Sequence, residues 1–96
     1  MRARNINGTA DRVCRFGSWL NHWQNFSGVP LPSFCYQKSW MKTPEVGAHV
    51  QKESLFDDRW YIIPLCYDCN NRRGETIEIM DSAALVSANK RDTCER

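Results

Sequence analysis

The sequence predicts a small α+β domain in which an aromatic helix precedes two strands, and a tight turn carrying two cysteines follows them. Three observations carry this. Residues 18 to 27, SWLNHWQNFS, place Trp19, Trp23 and Phe26 at helical spacing. Residues 45 to 51 and 60 to 65 read as extended. Cys66 and Cys69 then stand three apart, directly after the second extended run. A chain of 96 residues makes one domain, 1 to 96, and buries only a modest fraction of its unfolded surface, so a cross-link or a bound metal adds needed stability.

In order along the chain, residues 1 to 13 are polar and read as a mobile entry segment. Ser18 is placed to cap the aromatic helix and Gly28 to end it, with the aromatic face turned inward. His22 lies beside that stripe and reads as an exposed or hydrogen-bonded helix histidine. Pro30 and Pro32 restrict themselves and the residues before them, so GVPLPS is a connector leading to Cys35. In the first strand Val46, Ala48 and Val50 fall on one side and Gly47, His49 and Gln51 on the other, which points His49 away from the apolar face. KESLFDDR is turn-like. WYIIPL, 60 to 65, is the second strand, and Pro64 puts its end at an edge or a bulge. Residues 67 to 73 form a short helix stopped by Gly74, Ile77 and Ile79 alternate in a third strand, and DSAALVSAN, 81 to 89, reads as a helix capped by Asp81 or Ser82. The four tryptophans are expected mainly in the core, which needs large side chains in so small a domain.

Apolar residues make up 42% of the chain without a long uninterrupted run, so no membrane span is expected. The start, MRARNINGTADR, has charge but no apolar segment after it and does not read as a signal peptide; a cytoplasmic setting is expected. In such a reducing compartment five cysteines do not suggest a disulfide set, and the odd number leaves one without a partner. Metal binding is the leading account. The Cys66–Cys69 spacing lets both thiolates of a tight turn approach one zinc at tetrahedral angles. A closed structural zinc site takes four ligands from thiolates and imidazoles, so Cys35, the pair and Cys14 are the most economical set, with Cys94 next in line for the fourth place and His49 a further candidate for it.

The net charge of +2 is the small difference between 13 basic and 11 acidic side chains, so a nucleic-acid reading rests on where charges sit. Lys52, Arg59, Arg72 and Arg73, with Lys38 and Lys42, are placed to form a phosphate-binding rim, interspersed with acidic residues at 53, 57, 58 and 68.

GAHV at 47 to 50, followed by WYIIPLCYDCNN at 60 to 71, resembles the HNH nuclease family, whose motif is a strand ending in a histidine, a loop, a two-cysteine knuckle and a short helix. The resemblance covers about residues 35 to 74 and implies a zinc-stabilised ββα-metal core there. More narrowly, the chain resembles small bacterial and phage proteins with GAHV and YI(I/V)PLC..CN segments. The resemblance implies that His49 is the general base activating water against a phosphodiester, because its imidazole titrates close to working pH. It also implies that Asn70 helps hold a divalent cation, magnesium or manganese, on the scissile phosphate of DNA or RNA. The chain departs from the family pattern in named places. The acidic ligand usual before the histidine is Ala48, and a methyl group cannot ligate magnesium. Trp60 and Tyr61 stand where the family places an orienting asparagine, and Trp40 stands near the second cysteine expected after Cys35. Three functions follow: a metal-dependent HNH endonuclease, a catalytically silent zinc domain binding nucleic acid, or an interaction protein such as a phage-encoded inhibitor docking through aromatics around Trp40 and Tyr36.

Overall fold

The computed structural model describes residues 1–6, 18–37, 41–54, 57, 59–71, 74–80 and 82–89. The order of elements is β1 (Arg2–Asn5), α1 (Trp19–Phe26), β2 (Val46–Lys52), β3 (Trp60–Leu65), α2 (Tyr67–Asn70), β4 (Thr76–Glu78) and β5 (Val86–Ser87). This is the expected α+β class, and the consecutive run β2, β3, α2 supplies two antiparallel strands followed by a short helix.

The five strands make one antiparallel sheet in the order β4-β1-β2-β3-β5. Residues 2–5 therefore lie inside the sheet, which corrects the expected mobile segment over 1–13 in its first part. The signal is a short alternation: Arg2 and Arg4 are exposed while Ala3 and Asn5 are fully buried. Only one of those two inward residues is apolar, so periodicity alone leaves the stretch looking like a polar tail. Residues 7–17, including Cys14, lie outside the described residues.

The aromatic helix forms where expected. Ser18 is extended (φ −154°) and its side chain accepts from the Asn21 N–H, and Gly28 adopts φ +75° just beyond the end, a conformation that glycine enters without Cβ strain. Trp19 and Trp23 are buried, but Phe26 is 39% exposed and Trp60, expected inside, is 45% exposed. The helix packs across β2 and β3 so closely that a Cβ placed on Gly47 would meet the Trp19 carbonyl carbon at 2.4 Å. Gly47 is thus the gap that admits the helix backbone.

That packing changes the expectation for His49. The face holding Gly47 and His49 is covered by α1 rather than solvated, so His49 is buried along with Ala48 and Val50 on the opposite face. His22 is likewise fully buried, its Nε2–H donating to the Ser87 carbonyl at 2.9 Å.

Pro64 sits opposite Gly47 near the end of β3. Its carbonyl accepts from the Tyr36 N–H at 3.1 Å, which turns its nitrogen to the same side, away from β2. On that side β5 pairs only with Tyr61 and Ile62, so the missing N–H interrupts no ladder bond. The expected helix over 81–89 is absent among the described residues. After a turn in which the Ala83 N–H donates to Met80, the chain runs extended and pairs Val86 with Ile62. The open edge of β3 and the apolar site for Val86 override a local helical preference. No helix of the described residues is long and apolar enough to cross a membrane.

Candidate metal centre

Cys35, Cys66 and Cys69 are brought together by three separate pieces of chain. Cys35 ends the proline-rich connector, and its N–H donates to the Lys42 carbonyl at 2.7 Å, closing the loop that leads into β2. Cys66 follows β3 directly and occupies the extended cap position of α2. Cys69 lies one turn on, and the Asn70 N–H closes that turn on the Cys66 carbonyl at 3.0 Å. All three side chains are buried, they form no disulfide, and their sulfurs lie within 4.8 Å of one another.

The donors suit a zinc ion. Three sulfurs each about 2.3 Å from one ion at tetrahedral angles stand roughly 3.8 Å apart, inside the observed limit. Buried thiols left to themselves stay protonated. Burial pushes the Cys35 thiol up, opposed by backbone hydrogen bonds from Cys66 and Gln37; burial and then the thiols of Cys66 and Cys69's other neighbour, Cys35, push Cys69 up strongly. A divalent cation would supply the charge that makes three thiolates at this spot stable. Of the three expected sources of a fourth ligand, Cys14, Cys94 and His49, the two cysteines lie outside the described residues.

His49 is not in this group. Among the described residues, the three cysteines form the one set of three metal-type ligands within 4.8 Å. The imidazole of His49 instead lies edge-on to Trp19 and Trp60, with ring centroids 4.7 and 6.0 Å away. Burial, and secondarily the nearby His22, lowers its pKa from 6.5 to about 4. Asn70 is half-buried at the end of α2, and its carbonyl accepts from the Asn5 side chain at 2.8 Å. Asn71 caps the same helix, its N–H donating to the Tyr67 carbonyl.

The expected basic rim is divided. Arg72, Arg73 and Lys38 lie outside the described residues. Lys52 and Arg59 converge on one carboxylate, that of Asp57: the Arg59 Nε and Nη2 donate at 3.1 and 3.3 Å, its backbone N–H at 3.0 Å, and Lys52 Nζ lies 3.5 Å away. The Tyr61 hydroxyl donates to the same group at 2.6 Å. The Arg59 and Tyr61 hydrogen bonds hold Asp57 well below the usual carboxylate range. Lys42 pairs with Asp68 beside the cysteines. An open groove of about 550 Å³ lies beside Asp57 and Lys52, and Arg4, Gln51, Glu53, Ser54 and Thr76 complete its lining, so it carries two basic and two acidic side chains. A second, apolar groove of about 400 Å³ adjoins Cys35, with Phe34 and Met41 exposed at its rim. Tyr36, expected as an exposed docking aromatic, is instead buried edge-on to Trp23.

Asn5 has no signal in the sequence, and Asp57 is legible there only as one of the acidic residues interspersed with the rim. Asn5 carries the cysteine-bearing helix, and Asp57 neutralises two of the residues assigned to the rim. An acidic residue between Lys52 and Arg59 in a hairpin loop was the available signal for the second. No protein-family model, curated protein or solved structure matches the chain.

Proposed function

We propose that this is a zinc-clasped, HNH-like domain that binds nucleic acid without cutting it. The observation that carries the reading is the buried trio Cys35, Cys66 and Cys69, a donor set suited to a closed structural ion that pins the connector and α2 to the β2–β3 hairpin. The β2, β3, α2 order supports kinship with the HNH class. Nucleic-acid binding draws support from the groove at Arg4 and Lys52, where Gln51, Ser54 and Thr76 offer neutral hydrogen-bonding groups suited to phosphate and sugar oxygens; Glu53 and Asp57 line the same groove and oppose a polyanion there.

The reading without cleavage draws its support from the setting of His49. A general base must reach the water it deprotonates, whereas this imidazole is packed between Trp19 and Trp60 and stands apart from the cysteine group. GAHV also has a structural explanation, since Gly47 admits α1 and His49 packs against its first residue. A protein ligand is the second reading, favoured by the apolar groove at Phe34 and Met41.

The test is metal content by mass spectrometry together with two assays on the purified protein and its His49→Ala form. One zinc per chain, salt-sensitive binding to DNA or RNA, and no plasmid nicking in magnesium, manganese or EDTA is the expected result. Magnesium- or manganese-dependent nicking that disappears in His49→Ala restores the nuclease reading, and zinc without any salt-dependent binding favours the protein ligand.

A further inference from the structure

Asn5 belongs to β1, yet its side chain acts on α2. Its Nδ2 donates to the Cys69 carbonyl at 3.0 Å and to the Asn70 carbonyl at 2.8 Å. These are terminal carbonyls of a four-residue helix, beyond the reach of its own i→i+4 bonds; the Cys69 carbonyl also accepts from the Asn71 N–H at the cap, and Asn5 ties both carbonyls to the sheet. The main chain of Asn5 completes the grip: its N–H donates to Glu75 at 2.9 Å and its carbonyl accepts from Gly74 at 2.6 Å. Gly74 adopts φ +83°, the turn that brings the chain leaving α2 back to β1. One residue therefore closes both ends of the segment from Cys69 to Glu75.

The orientation of the amide is fixed by chemistry. Its two N–H groups match two carbonyl acceptors, and the flipped amide would aim an oxygen at both. The Oδ1 atom is left buried without a hydrogen-bond partner, so the side chain is held there by what the nitrogen does. Asn5 is fully buried and pairs with Val50 of β2, which makes the grip part of the rigid sheet.

We infer that Asn5 is the positioning residue of the cysteine clasp: by anchoring the Cys69 and Asn70 peptides to the sheet, it presets the Cys69 sulfur for the metal. The inference rests on the zinc reading above. Groups that orient metal ligands from behind typically change metal retention ten- to a hundredfold when removed.

The experiment compares zinc release to a chromogenic chelator from the intact protein, from Asn5→Asp and Asn5→Leu, and from Ala3→Gly, which weakens the same strand away from the clasp. All are measured under conditions where circular dichroism shows each to be folded. Asn5→Asp retains the shape but turns an acceptor toward two acceptors, and Asn5→Leu retains bulk without a donor. Both are expected to release zinc about tenfold faster or more, and to alter the visible spectrum of the cobalt-substituted form, while Ala3→Gly does neither. Release and spectra unchanged in a folded Asn5→Leu overturn the inference.

If neither Asn5 variant folds, the unmutated protein still decides it. The Asn5 Nδ2 protons, followed by nitrogen-15 spectroscopy, should exchange slowly with zinc bound and faster once EDTA removes it; equal exchange in both states overturns the coupling. An intact protein that holds no zinc at all removes the metal reading, and the clasp role with it, a result distinct from zinc that is held equally well without Asn5.

Discussion

His49 stands edge-on to Trp19, the ring centroids 4.7 Å apart and the planes at 79°. Burial first, and then the neighbouring His22, hold the imidazole's pKa at about 4. The unfolded chain, titrating near 6.5, binds a proton that the folded chain refuses between those values. Stability is therefore full above pH 6.5 and is lost as pH falls toward 4. At about 1.4 kcal/mol per unit, the group accounts for roughly 3 kcal/mol of that loss. Urea midpoints measured from pH 7 to 4.5 should fall in the natural protein and flatten in His49→Leu; parallel curves would assign the acid sensitivity elsewhere.

Gly47→Ala should be among the most damaging single-methyl additions in the molecule. The new carbon would meet the Trp19 carbonyl carbon at 2.4 Å and the Leu20 nitrogen at 2.6 Å, both backbone atoms that cannot rotate away. Either α1 lifts or β2 bends, for about 3 kcal/mol or more. Thermal melts report the loss, and an unchanged melting temperature would mean that the helix does not sit on the strand.

Removing the clasp has two expected readouts. Cys69→Ser should lose zinc stoichiometry and lower the melting temperature, and EDTA should have the same effect on the natural protein but little on the variant. Cys14→Ser and Cys94→Ser, compared by zinc content, test whether either cysteine supplies a fourth thiolate: a drop in one of them names it, and no drop in either assigns the fourth place elsewhere.

Asp57→Asn tests the divided rim. Losing the carboxylate detaches Lys52 and Arg59 from their common partner and leaves the Tyr61 hydroxyl facing a neutral amide. Affinity for a short duplex should rise at low salt, and the slope of log affinity against log salt should steepen by about one to two. A slope equal to that of the natural protein would place the binding surface away from this hairpin.

The elements legible in the sequence were those with a strong local pattern. Trp19 and Trp23 marked α1, Ser18 and Gly28 marked its ends, and the apolar run at 60 to 65 marked β3. The close pair Cys66 and Cys69 marked the centre, and Cys35 was added because zinc needs more ligands than a pair supplies. What escaped was decided by distant partners. Arg2–Asn5 carries one apolar side chain and becomes a strand because two others flank it. Val86 and Ser87 join the sheet because β3 offers an open edge. His49 was turned to the expected side, but no periodicity within β2 could say that a helix would cover it.

The interior position of β1 bears on how the protein is made. Ala3 leaves the ribosome before its partners on either side, Lys52 and Ile77, so the strand waits unpaired while the residues between them are synthesised. During that interval its unpaired edges are open to wrong partners, a cost set by the order of the strands along the chain.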